Sequence, residues 1–148
     1  MAEGKFDPWA RRRARRLLVQ ALYQWQLTGD SLGDLEDQFR GRKEYGRIEK
    51  PFFSHLLSGV IRQTGELDEL LEPILDRRLE ALDQVERAIL RAGAFELKGR
   101  IDVPYKVVIS EYVALAKVFG AEESHRYVNA VLDKLARTER ALETSAEG

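Results

Sequence analysis

Apolar residues return every three or four positions along most of this chain, the spacing that lines one side of an α-helix. In the first such run the stripe is Ala10, Ala14, Leu17, Leu18, Ala21 and Trp25. Asp7 offers an N-cap oxygen, Pro8 suits the first helical position, where its missing N–H is no loss, and Gly29 supplies the stop. On the opposite side Arg12, Arg16, Gln20 and Tyr23 share an arc of roughly 80° at 100° per residue. A short helical piece follows (Leu32, Leu35, Phe39), then a loop rich in glycine and charge from Gly41 to Glu49. Pro51 can open the next helix, with Phe52, Phe53, Leu56, Leu57, Val60 and Ile61 inward. Gly65 weakens it before a further helix through Leu67, Leu70, Leu71, Ile74 and Leu75, which Pro73 must kink or break.

Asp83 caps the following run, whose apolar side is Val85, Ala88, Ile89, Ala92, Phe95 and Leu97. Pro104 restarts helix after the connection at 99–103. Val107-Val108-Ile109 alone would suit a strand, but the longer spacing through Tyr112, Val113, Ala116 and Phe119 argues for helix, ended by Gly120. The last helix runs from about Glu122 to Arg140 with Val128, Val131, Leu132 and Leu135 inward, and the tail beyond it is expected to be disordered. The pattern predicts an all-α protein of six or seven helices, whose short connections favour antiparallel neighbours.

Composition narrows the class. The 148 residues are 44% hydrophobic and 33% charged, as in a soluble globular protein of one domain or two small halves. No apolar run approaches the ~18 residues of a membrane span, and the basic start precedes an amphipathic helix rather than a signal peptide. With no cysteine, disulfides and thiolate chemistry are excluded, and a cytoplasmic location is the default.

Charge changes the picture most. The near-neutral total conceals a segregation: residues 9–28 hold five arginines and no acid. Residues 66–86 hold eight acids against Arg77 and Arg78, which suits a basic partner. Arg11, Arg12, Arg13, Arg15 and Arg16 crowd the first turns of the first helix, where the dipole disfavours each cation by ~0.3–1 kcal/mol. Like charges at helical-neighbour spacing add repulsion of ~0.2–0.5 kcal/mol per pair. A polyanion would offset that cost, and nucleic acid is the obvious candidate.

Catalysis has weaker support. His55 lies among core positions and reads as a hydrogen-bonded, partly buried structural residue; His125, after Glu122 and Glu123, fits a helix N-terminus better than a metal site. No phosphate-binding glycine loop, nucleophile elbow or dinucleotide fingerprint occurs, so neither cofactor nor metal is expected. For nucleic acid, arginine forks bind phosphate and stack on bases. Tyr23 with Gln20 continues the basic arc, and Arg126, Tyr127 and Asn129 form a second basic and aromatic group. Such sets suit splayed single-stranded RNA, although each tyrosine fits a helix–helix seam equally well. A helix-turn-helix over residues 107–135 is disfavoured because Glu122 and Glu123 would meet phosphates at the recognition helix's start.

Several blocks together resemble the bacterial transcription antitermination factor NusB family. They are Ala14-Arg15 with Gln20-Ala21-Leu22-Tyr23-Gln24-Trp25, then Gln84-Val85-Glu86-Arg87-Ala88-Ile89-Leu90-Arg91 and Phe95-Glu96-Leu97. Asp102-Val103-Pro104-Tyr105-Lys106-Val107, Leu115-Ala116-Lys117-Val118-Phe119-Gly120 and Tyr127-Val128-Asn129-Ala130-Val131-Leu132-Asp133-Lys134 follow in order. The likeness spans Ala10 to Ala136. It implies two packed helical-bundle subdomains, about 8–78 and 82–141, with a disordered tail at 142–148. It also implies a non-enzymatic factor that binds the boxA element of ribosomal RNA leader transcripts with NusE, a ribosomal small-subunit protein. Other Nus factors and RNA polymerase would complete the elongation complex.

By the same resemblance the RNA site maps to Arg11–Arg16, Arg126, Tyr127 and Glu123, and the NusE-facing surface to the acids around Glu86. Glu80 and Asp83 are assigned to that surface with it. Ser110 stands where the family has asparagine, and Ala130 where it has glycine. Two oligomeric states stay open, a monomer and a homodimer, since some members self-associate through surfaces overlapping the RNA site. Two other readings also stay open: a helical protein–protein adaptor without RNA contact, and the RNA-binding accessory module of a ribosomal RNA-modifying system.

Overall fold

A computed structural model describes residues 7–146 and places eight α-helices among them. They are α1 (Pro8–Thr28), α2 (Leu32–Arg40), α3 (Lys50–Arg62), α4 (Thr64–Leu71), α5 (Gln84–Gly99), α6 (Tyr105–Phe119), α7 (Ser124–Glu139) and α8 (Ala141–Ala146). Short 3₁₀ turns at Lys43–Arg47 and Leu79–Ala81 join them, and no strand occurs among the described residues. The chain therefore has more helices than the six or seven its pattern predicts.

The local signals act where expected. The Asp7 side chain accepts from the Trp9 N–H, and Gly29 ends α1 at φ 70°, a conformation that a side chain disfavours. Ser31 caps α2 and Asp83 caps α5 in the same way. Pro73 breaks rather than kinks its segment: α4 stops at Leu71, while Ile74 and Leu75 still pack against the core.

Helix α5 is the hub. It packs against α1, α3, α4, α6 and α7, and every residue from Ala88 to Leu97 is buried. The expected one-sided apolar stripe is thus only part of what it buries. Small residues allow the close approach. A methyl on Gly59 of α3 would fall within the Phe95 ring, and one on Gly93 would press on Leu132 of α7. The buried Arg140 guanidinium donates to the carbonyls of Glu96, Leu97, Arg100 and Val103, satisfying the end of α5.

The tail departs from expectation as far as Ala146: residues 141–146 form α8, tied down because Glu143 accepts from Arg140 and from the Tyr105 N–H. Residues 147 and 148 lie outside the described residues. None of the helices is long and apolar enough to cross a membrane.

Candidate nucleic-acid interface

Helix α1 carries the arginine block, and its rotation sorts the five guanidinium groups. Arg15 turns inward and is only 3% exposed. Its Nε and Nη2 donate to both oxygens of Glu96 on α5, at 2.7 and 2.9 Å, and Tyr112 donates its hydroxyl to the same carboxylate. Burial alone would lower the Arg15 pKa, but the Glu96 carboxylate reverses this and holds the guanidinium well above its ordinary value. Burial, reinforced by Glu96, likewise keeps the Tyr112 hydroxyl far above the usual phenol range. Arg15 is therefore a core residue, which corrects its assignment to the RNA surface.

Arg11 is also largely enclosed. It donates to both oxygens of Glu49, lies 3.7 Å from Asp102, and stacks 4.4 Å over Phe52. Arg12 stays exposed, 4.9 Å over the Trp9 ring, yet forks onto Glu111 of α6, which raises its pKa. Carboxylates from α5, α6, the residue before α3 and the turn before α6 thus neutralise Arg11, Arg12 and Arg15 within the molecule. For these three, an external polyanion is not needed to offset their placement.

Arg13 and Arg16 differ. Arg13 donates its Nε to the Arg47 carbonyl at 2.9 Å, and Arg16 lies exposed, 5.2 Å over Phe119. Neither has a carboxylate within 4 Å among the described residues. Both line a cleft of about 230 Å³ with Leu17, Gln20, Glu44 and Arg47. Gln20 also borders a second cleft, of about 390 Å³, whose apolar walls include Tyr23, Leu27, Val85 and Phe119. Tyr23 is 40% exposed, and an exposed aromatic ring can take part in base stacking. Arg42 lines this second cleft too, a residue the sequence reading passed over as loop.

The second group lies apart from these clefts. Arg126 is exposed and pairs with Glu123 at 3.1 Å, while Tyr127 is half-buried. The Tyr127 ring is covered by Arg77 at 4.6 Å and its hydroxyl accepts from the Asp76 N–H at 3.4 Å. One face of that ring is therefore already used, as the seam reading of this residue allows. The acidic stretch is largely consumed at home as well. Asp68 holds the buried Arg91, Glu66 pairs with Lys98, Asp76 with Arg77, and Glu80 with Arg78. Glu86 is buried and accepts from Ser124, so it ties α5 to α7 instead of facing outward as expected. Asp83 spends one oxygen on its cap and Glu80 pairs with Arg78, and both stay exposed.

His55 is hydrogen-bonded through Nδ1 to Arg100, 3.2 Å away, but exposed rather than partly buried, with its ring against Phe95. No side-chain cap forms at the start of α7, and no group of residues among those described is placed to hold a metal ion.

The sequence profile of the NusB family matches residues 12–137. The chain belongs to the NusB family. The transcription antitermination protein NusB of Alcanivorax borkumensis is 59% identical over 138 residues, covering 93% of this chain and 92% of that protein. NusB of Serratia proteamaculans is 54% identical over 129 residues, 87% of this chain and 94% of that protein. Among solved structures, T. maritima NusB superposes with a TM-score of 0.77 at 30% identity, covering 86% and 90% of the two chains. A chain from the crystal structure of antitermination factors NusB and NusE in complex with dsRNA does so at 0.77 and 27% identity, covering 89% and 99%. Both NusB structures support the helical architecture described above.

Proposed function

We propose that this member of the NusB family is a cytoplasmic, non-catalytic antitermination factor that captures boxA-type single-stranded RNA of ribosomal RNA leader transcripts together with NusE. In this reading it joins other Nus factors on RNA polymerase and favours processive elongation. The observation that carries it is the outer side of α1. There Arg13 and Arg16 present cations with no carboxylate within 4 Å among the described residues, next to Gln20 and the partly exposed Tyr23. Guanidinium groups bind phosphate, a ring stacks any base, and an amide reads a base edge. A homologous chain comes from a crystal structure of NusB and NusE in complex with dsRNA, which supports RNA and NusE as partners and leaves the single-stranded form to the test below.

Arg12 serves as a further contact through the guanidinium edge that Glu111 leaves open, and Arg11 acts by fixing the start of α1. Arg126, Tyr127 and Glu123 form a second, smaller contact. Glu80 and Asp83 face NusE. Residues 8–78 and 82–141 act as two packed helical halves, with the first supplying most of the RNA surface.

The test is competition of a labelled boxA-like single strand against scrambled single-stranded RNA and against duplex RNA, with and without NusE. The boxA-like strand is expected to compete best, by the widest margin when NusE is present. Equal competition by all three RNAs under both conditions would overturn the reading.

A further inference from the structure

A cleft of about 740 Å³ between the starts of α1 and α6 is lined by the cations Arg11, Arg12, Arg15 and Lys106 and by the carboxylates Asp102 and Glu111. Most of this charge is already matched. Glu49 holds Arg11, Glu96 holds Arg15, and Arg100 grips Asp102 with two hydrogen bonds of 3.0 Å. Of the three arginines only Arg12 reaches well into solvent, its side chain 56% exposed against 14% for Arg11 and 3% for Arg15. The Trp9 ring, 4.9 Å away, backs its guanidinium plane.

Glu111 sits where it interferes with that cation. Its side chain is only 12% exposed, so it meets Arg12 from the inner side of the cleft. The carboxylate accepts from Arg12 Nε at 3.2 Å and from Nη2 at 2.8 Å. Those two N–H groups form one of the guanidinium edges able to grip a phosphate with parallel hydrogen bonds. A phosphate arriving from solvent is left the other edge, on a guanidinium it shares with a carboxylate. The fold does not call for this acid. An ion pair with one partner open to solvent adds little to stability. Arg15, 3.8 Å from Glu111, already has both oxygens of Glu96 at 2.7 and 2.9 Å.

We infer that Glu111 is a built-in competitor for RNA phosphate at Arg12, which keeps the affinity of this cleft for any single strand below what its cations would give. Attraction to phosphate is the sequence-independent part of RNA binding. A carboxylate beside the phosphate lowers it for every sequence, so that retention comes to depend on base contacts and on a second protein. The inference rests on the RNA contact at Arg12 in the reading above, and gives a role to an acid that the reading leaves as a simple partner.

The experiment measures binding of boxA-like and of scrambled single strands over a range of salt concentrations, first without NusE and then with NusE saturating. Four proteins are compared: the parent, Glu111→Gln, Arg12→Gln, and the two substitutions together. Glu111→Gln is expected to bind both strands about three- to tenfold more tightly at low salt, the effect of one unit charge ~6 Å from a phosphate. The gain should narrow as salt rises, because ions screen it. It should also shrink in the Arg12→Gln background, where the phosphate has lost its ligand. Unfolding cannot imitate a gain. Melting temperatures are recorded alongside, and Glu111→Leu carries the same prediction should Glu111→Gln melt below the assay temperature.

Parental or weaker binding by Glu111→Gln, with Arg12→Gln weaker than the parent, overturns the inference and leaves RNA at Arg12. A gain that salt leaves unchanged, or one of full size in the Arg12→Gln background, overturns it too, since the carboxylate then does not act through this pair. Parental binding in both single variants overturns the inference and withdraws Arg12 from the RNA surface. Failure of the RNA reading itself shows differently, as equal competition by boxA-like, scrambled and duplex RNA in the parent.

Discussion

The two flanks of α1 carry the same residue type for different ends. Toward α5, α6 and the residue before α3, Arg15, Arg12 and Arg11 meet Glu96, Glu111 and Glu49, and their charge is absorbed into the fold. Arg13 meets a carbonyl of the turn at Lys43–Arg47 and Arg16 meets the Phe119 ring at the end of α6, and their charge remains available. Adjacent arginines on one helix are therefore not one site. A cation at a helix N-terminus can be stabilised by the molecule's own carboxylates as readily as by a ligand, and only its surroundings tell which.

The largest effect should come from the absorbed flank. Arg15→Gln leaves the Glu96 carboxylate buried without its counterion, a loss of ~3–5 kcal/mol. In a chain of this length that lowers the melting temperature by roughly 10 °C. Replacing the network at once, with Arg15→Met, Glu96→Leu and Tyr112→Phe, should recover most of it, because no buried polar group is then left unpaired. Thermal unfolding followed by circular dichroism decides this, and a parental melting point for Arg15→Gln would erase the distinction between the flanks.

Arg12 sits between the two cases, paired yet 56% exposed along its side chain. Arg12→Gln should cost no more than ~1 kcal/mol, the range of exposed ion pairs. The same variant should reduce the RNA salt slope by about 0.7 if its open edge holds a phosphate. Measured together, stability and slope assign Arg12 to one flank or to both.

The smallest effect is that of acid. The Arg100 guanidinium, helped by Arg11, holds the Asp102 carboxyl below its ordinary value of 3.8. The folded state then binds fewer protons than the unfolded chain, so this contribution is complete above that ordinary value and disappears as pH falls through the lower folded one. Melting between pH 5 and pH 3 should fall slightly more in the parent than in Asp102→Asn. Arg13 and Arg16, with no carboxylate within 4 Å among the described residues, should add nothing to this response.

The sequence by itself determined the helices and most of their ends, because periodicity, caps and prolines act within a few residues of one another. Asp7, Gly29, Asp83 and Pro104 each mark a boundary that the structure keeps within a residue or so. The family, too, was legible in short blocks spread from Ala10 to Ala136. What each arginine does was decided only by tertiary structure. Arg15 finds Glu96 81 positions away, Arg12 finds Glu111 99 away, and Arg13 finds the Arg47 carbonyl 34 away. Glu96 gave one sign of its role, a lone carboxylate in the otherwise apolar and small-residue stretch after Arg91. The place of Arg42 left no such mark, since a cation in a polar loop looks like any solvated charge until the fold sets it against Gln20. Coulombic and hydrogen-bond energies depend on distance in space, and the order of residues along the chain does not contain that distance until α1, α5 and α6 have packed together.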